Sequence, residues 1–241
     1  MPVEIELKKV CFMSDKFPLL REISFIVRKG EVLVISGRSG HGKSTILELC
    51  AGLKNPTSGN VLWDGHDLAE FSRKQLLKER QSIGYMFQVH ALISNYSVFE
   101  NIALPLRARS EFSEKQINRR IRNMMDELNL FNIDSLFPEA LSIGQLKTVA
   151  LARALIGDPD VLLLDEPLSG VDPSTAQGMM NVLYEKNRSR PMCVIMVSHN
   201  TNVWDGFSPV KRVLESGRFT DQTLDMPVIK RQYGENIEVF R

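Results

Sequence analysis

The chain has 241 residues, 43% of them hydrophobic and 24% charged, and its 30 basic and 29 acidic side chains leave a formal charge of +1. This is the composition of one ordinary folded domain or of two small ones, and it excludes a disordered tail or a fibre. So balanced a charge provides no electrostatic footprint for nucleic acid or anionic lipid, and no nucleic-acid partner is expected.

Taken in chain order, the first 30 residues alternate: Val3, Ile5 and Leu7, then Ile23, Phe25 and Val27, are separated by polar neighbours. This predicts antiparallel strands with one wetter face. Residues 31–36 (EVLVIS), 161–165 (VLLLD) and 192–198 (MCVIMVS) are continuous apolar runs, as strands of a parallel sheet covered on both faces require. Helical spacing lies between them. Residues 43–53 place Ile46, Leu49, Cys50 and Leu53 on one stripe, and residues 145–156 do the same with Leu146, Val149, Ala150 and Leu155. From 113 to 130 a strongly charged helix is expected on the stripe Ile117, Ile121, Met124, Met125 and Leu128, with Arg119, Arg120 and Arg122 on its solvated face. Strands alternating with helices predict an α/β layer fold, with residues 89–154 as a mainly helical insert. No internal repeat interrupts this order.

Cys11, Cys50 and Cys193 stand far apart without a C-x-x-C pair, which argues against a disulfide framework or structural zinc and fits a reducing compartment. The start carries Glu4 and Glu6 and no apolar stretch of secretory length, so no signal peptide is expected. The longest apolar runs fall far short of the ~20 residues of a membrane helix, so work at a membrane requires other chains to cross it.

Residues 37–45 read Gly37, Arg38, Ser39, Gly40, His41, Gly42, Lys43, Ser44 and Thr45, matching G-x-x-x-x-G-K-[ST] directly after the 31–36 strand and at the opening of a helix. The glycines let the backbone curl so that successive N–H groups face phosphate oxygens, and the helix adds the positive end of its dipole. Lys43 reaches the β- and γ-phosphates, and the Ser44 hydroxyl is placed to ligate Mg²⁺. A nucleoside triphosphate is the expected ligand.

Asp165 and Glu166 end the second apolar run, where ligands of an open parallel sheet sit beyond the strand ends. Asp165 suits Mg²⁺, and Glu166 suits the orientation or deprotonation of an attacking water. His199 ends the third run in the same way and can donate to the γ-phosphate. The segment Leu141-Ser-Ile-Gly-Gln145 opens the 145–156 helix with Ser142 as N-cap, and its exposed N–H groups suit an anion, although it has no evident use on its own chain's phosphates.

The ordered set of these residues closely resembles the ATP-binding-cassette family: a Walker A loop at 37–45, a Q-loop at Gln88, the signature LSIGQ, Walker B at Asp165-Glu166, a D-loop at 169–172 and a switch His199. The resemblance runs over about residues 3–218. It implies a P-loop NTPase cassette with a RecA-like core (1–88 and 155–220), an N-terminal antiparallel β region, an α-helical subdomain (89–154) carrying the signature, and a tail (221–241). It also implies that ATP with Mg²⁺ is bound and hydrolysed between two copies joined head to tail. Ser142, Gly144 and Gln145 would then touch the partner's γ-phosphate. Glu166 would be the base, with Gln88 sensing the metal and water beside Ser44 and Asp165, and Asp172 would connect the two sites.

The sequence departs from the family in places. Ile143 stands at the signature's third position, where the family usually has glycine, and Ser14 stands where the family often stacks an aromatic on adenine. Phe12 or Phe17 either substitutes for that aromatic or belongs to the core. In 88–106, Leu92, Tyr96 and Phe99 either line a socket for a helix of a membrane subunit or pack inside the insert. The expected role is the cytosolic ATPase of a transporter, peripheral at the inner membrane through transmembrane permease subunits. The stretches LLLDEPLSGVDP and FENIALPLR resemble ATPases of MCE-type phospholipid transport, which would add a periplasmic or membrane-anchored lipid-binding subunit. Rival classes are a soluble iron–sulfur-assembly ATPase, a cell-division cassette and a lipoprotein-release or efflux cassette. Val228, Ile229, Tyr233, Ile237 and Phe240 of the tail either dock on a neighbour or cover the chain's own core.

Overall fold

A computed structural model describes residues 2–15, 17–88 and 91–220. The alternation at the start builds a hairpin of β1 (Ile5–Ser14) and β2 (Phe17–Val27), antiparallel with Ile5 opposite Val27 and Leu7 opposite Phe25. Alternation buries Ile5, Leu7 and Val27, and register shifts beyond Leu7 let Val10, Leu20 and Ile23 be buried as well. After β3 (Val32–Gly37) and α1 (Lys43–Cys50), the chain adds β4 (Ser58–Trp63) and β5 (His66–Asp67) to this sheet, whose strand order is β2-β1-β4-β5.

Helix α2 (Arg73–Glu79) leads to β6 (Ile83–Met86), and three helices follow: α3 (Val98–Arg109), α4 (Glu114–Glu127) and α5 (Ile143–Leu155). The chain then alternates through β7 (Val161–Asp165), α6 (Pro173–Ser189) and β8 (Cys193–Val197), and ends its described part with β9 (Val210–Glu215) and β10 (Arg218–Thr220). The second sheet has the order β10-β9-β3-β8-β7-β6, parallel except for the β9–β10 hairpin.

The parallel sheet divides two apolar layers. Leu33, Ile35, Val161, Leu163, Ile195 and Val197 pack with α1 and the inner face of the N-terminal sheet. Their strand neighbours Val34, Leu162, Leu164, Val194 and Met196 pack with Ile102, Ile117, Ile121 and Val149 from α3, α4 and α5. Burial on both faces is why β3, β7 and β8 read as unbroken apolar runs.

Some local expectations are corrected. The first helix stops at Cys50, and Leu53, expected on its stripe, is 47% exposed because the chain turns away at Ala51. Phe17 is exposed and does not belong to the core, whereas Phe12 packs partly against it and lies under the Lys54 ammonium. Strands β4, β6, β9 and β10 carry no distinctive run. Strand β6 is four residues long and includes Gly84, where a Cβ would press into the Ala154 carbonyl of α5. Close approach of α5, a tertiary matter, decides that residue. The tail at 221–241 lies outside the described residues, so its expected docking does too.

Candidate active site

Strands β3, β8 and β7 lie side by side and end level, with Ile35 and Asp165 each paired to Val197. The segments leaving them, 37–45, 165–166 and 198–199, therefore meet at one edge of the sheet. There a cleft of about 320 Å³ is lined by Ser39, Gly40, Gly42, Lys43, Ser44, Thr45, Gln88, Asp165, Glu166 and His199, together with Leu19 from β2. Leu19 was not singled out by the sequence. It reaches the wall because the N-terminal sheet folds over the loop.

The start of α1 is built differently from those of the other helices. Ser72, Ser97, Ser113, Ser142 and Asp172 each cap a helix through a side-chain oxygen, whereas α1 begins at Gly42 with no side-chain cap. Gly42 sits at φ +94°, and a Cβ there would come within 2.8 Å of the Leu20 side chain. Glycine is thus required both by the backbone and by the close approach of β2. The first amides of α1 are left to an external acceptor, the arrangement that binds anions. Arg38 and His41 belong to the same loop without lining the cleft, and a Cβ on Gly37 would collide with the Leu214 carbonyl of β9.

Lys43 is almost wholly buried, and its Nζ donates to the Gly37 and Arg38 carbonyls at 2.8 and 3.0 Å. Burial lowers its pKa, opposed by the charges of Glu166 and Asp165. Burial raises the pKa of Asp165 against the Ser44 hydrogen bond and the charges of Lys43 and Lys147. Glu166 is raised by burial too, against His199 and Lys43. Both acids and the lysine are thus pushed toward neutrality, as expected of charges whose counter-ions are only partly supplied by the chain. The Asp165 Oδ1 atom is buried with no hydrogen-bond partner. Such an orphaned oxygen beside the Ser44 hydroxyl fits a hard divalent cation, since Mg²⁺ bound with a nucleotide needs few carboxylates.

Glu166 adopts φ +48°, a conformation costing a residue with a Cβ on the order of 1–3 kcal/mol, and the surroundings hold it there. Its amide donates to the Val197 carbonyl at 3.0 Å. The His199 amide donates to Glu166 Oε2 at 3.4 Å, and His199 Nε2 lies 3.2 Å from Oε1. The Glu166 carbonyl accepts from Lys147, a residue of α5 that the sequence reading passed over. A lysine amid residues buried on every side of α5 was the available signal.

The signature residues are elsewhere. Ser142, Gly144 and Gln145 do not line the cleft. Ser142 Oγ accepts from the Gln145 amide at 3.2 Å, and Gln145 Oε1 accepts from the Ser142 amide at 2.9 Å, closing a capping box. Ile143 is 57% exposed, and a Cβ on Gly144 would lie 3.6 Å from Asp172 Oδ2. Asp172 caps α6, where hydrogen bonds from Thr175 and Ser174 hold its carboxyl well below the usual carboxylate range. The expected site residues therefore form two groups, one in the cleft and one on an outward-facing turn. Of the expected socket residues, Leu92 and Phe99 pack partly against the helical core while Tyr96 is exposed.

The family described as ABC transporter matches residues 20–169. The chain belongs to this family. The chain is 38% identical to the methionine import ATP-binding protein MetN of Haemophilus influenzae (strain 86-028NP) over 209 residues, 87% of this chain and 60% of that protein. It is also 38% identical to methionine import ATP-binding protein MetN 1 of Bacillus anthracis over 217 residues, 88% of this chain and 62% of the relative. It thus spans about 60% of the length of these curated relatives. Among solved structures, the dimeric structure of MJ0796, a bacterial ABC transporter cassette, matches with a TM-score of 0.83 and 31% identity, covering 89% of this chain and 96% of that one. A post-hydrolysis dimer of the same cassette bound to ADP and Pi matches at TM-score 0.82 and 30% identity over the same shares. The cassette carries the ABC ATPase fold. No helix among its described residues is long and apolar enough to cross a membrane.

Proposed function

We propose that this cassette binds ATP with Mg²⁺ in the strand-end cleft and hydrolyses it as the ATP-binding subunit of a transporter. One observation carries the reading: the uncapped start of α1 shares a single cleft with Lys43, Ser44, Asp165, Glu166 and His199. The loop amides and Lys43 would receive the β- and γ-phosphates, with Lys43 exchanging its carbonyl partners for phosphate oxygens. Ser44 and Asp165 would hold Mg²⁺, with Gln88 at the rim. When bound, the ion supplies positive charge against the phosphates. Glu166, gripped by His199, would accept a proton from the attacking water, its burial favouring the protonated product of that step. His199 would also donate toward the γ-phosphate.

The outward-facing signature turn has no counterpart in its own cleft. Pairing two copies head to tail would bring Ser142, Gly144 and Gln145 onto the partner's nucleotide, a reading supported by the dimeric relative. Transmembrane partner subunits would hold the pair at the cytoplasmic face of the inner membrane.

The relatives bear on the cargo. Their names concern methionine import, which lends no support to the phospholipid branch or its lipid-binding subunit and favours an import system. The deciding experiment is affinity purification from the native membrane. Co-purified permease subunits are expected, and recovery of only soluble iron–sulfur scaffold proteins would overturn the transporter role. Light scattering of Glu166→Gln with and without Mg·ATP tests the pairing, which fails if the mass does not rise.

A further inference from the structure

Helix α5 is buried from Lys147 through Ala152, and Lys147 itself is only 3% exposed. An ammonium in such surroundings is costly unless it is paired, and this one is spent on a backbone carbonyl, that of Glu166. The same carbonyl accepts the Ser169 amide at 3.3 Å, while the Glu166 amide is held by Val197 at 3.0 Å. Lys147 thus clamps the left-handed peptide of the glutamate from the helix side, and the His199 amide holds its carboxylate at Oε2 from the strand side.

The position of Lys147 gives the clamp a second consequence. It follows Ser142, Gly144 and Gln145 on the first turns of the same helix, so a rigid helix connects the signature turn to the Glu166 peptide. In a head-to-tail pair, the turn would meet the partner's nucleotide while Glu166 acts on the chain's own.

We propose that Lys147 is a positioning residue for Glu166, fixing the peptide from which the carboxylate reaches water and tying that geometry to the signature turn on the same helix. The proposal rests on Glu166 as the base. Its test uses the full chain with Lys147→Met, Lys147→Gln and Lys147→Arg, and Glu166→Gln as reference. Methionine removes the donor and glutamine ends one atom short. Both are expected to lower kcat by about 10- to 100-fold, the effect of a misplaced catalytic group. KM, and ATP affinity by calorimetry, should stay within about twofold, because a group acting on the chemical step alone leaves ground-state binding intact. The ATP-bound pair should accumulate in light scattering as for Glu166→Gln, and arginine, which keeps a long donor, should restore turnover.

Should the methionine variant not fold, the contrast between glutamine and arginine decides by the same measurements. Turnover near wild type without the donor, affinity falling in step with turnover, or arginine no better than glutamine would each overturn the proposal. Undiminished turnover in Glu166→Gln would instead remove the base assignment, and the proposal with it, a result distinct from any obtained at Lys147.

Discussion

Helices α1 and α5 both begin at glycine-containing turns that the sequence marks as anion sites, yet their starts are built in opposite ways. Gly42 opens α1 without a side-chain cap and points it into a cleft with Lys43, Asp165 and Glu166. Ser142 opens α5 with a closed capping box, and the turn faces outward with Ile143 exposed. The first start has no side-chain cap among the described residues, and its cleft holds Lys43, Ser44, Asp165, Glu166 and His199 beside it. The second satisfies its Gln145 amide through Ser142 and faces away from the cleft. In the proposed pairing, the first would act within a single chain and the second only against another copy.

The sharpest way to break this contrast is at Glu166, which belongs to the first group. Glu166→Gln is expected to lower steady-state ATP turnover by about 10²- to 10⁴-fold, the usual worth of a general base. ATP affinity measured by calorimetry should hold, and turnover near wild type would show that the cleft lacks the proposed base. Next comes Lys43→Ala, which removes a charged donor from the cleft. ATP affinity should fall by about 10- to 100-fold, following the worth of hydrogen bonds to charged groups. Unchanged affinity would refute the phosphate loop.

The smallest effect sharpens the comparison most. Ser113 and Ser142 make the same capping box on α4 and α5. Alanine at either position should cost about 1 kcal/mol of stability, read as a similar shift in the denaturant midpoint. Only Ser142→Ala should also reduce ATP-dependent pairing and turnover. Equal activity in the two variants would make the signature serine a helix cap and nothing more.

The cleft residues were legible because their chemistry demands local spacing. The phosphate loop needs its glycines and Lys43 at fixed offsets, and Asp165 and His199 each follow a run of apolar strand residues. Leu19 was not legible, since only the folding of β2 over Gly42 brings it to the wall. Lys147 was half legible: a lysine beside the apolar run Val149 to Ala152 is conspicuous, but its partner is a carbonyl on another element. The exposure of Phe17 and of Leu53 likewise depends on where the chain turns, which apolar side chains do not announce.

The sequence by itself determined the strand-loop-helix phosphate cradle, the doubly buried strands and the capped helix starts, because backbone geometry and side-chain period act between near neighbours. Tertiary structure alone decided which strand ends lie level, that Lys147 reaches the Glu166 peptide, and that the signature turn faces away from the cleft. These depend on the order of strands in the sheet and on the packing of α5 against it. Both are outcomes of burying apolar surface between residues far apart in the chain, a driving force without direction until every layer is in place.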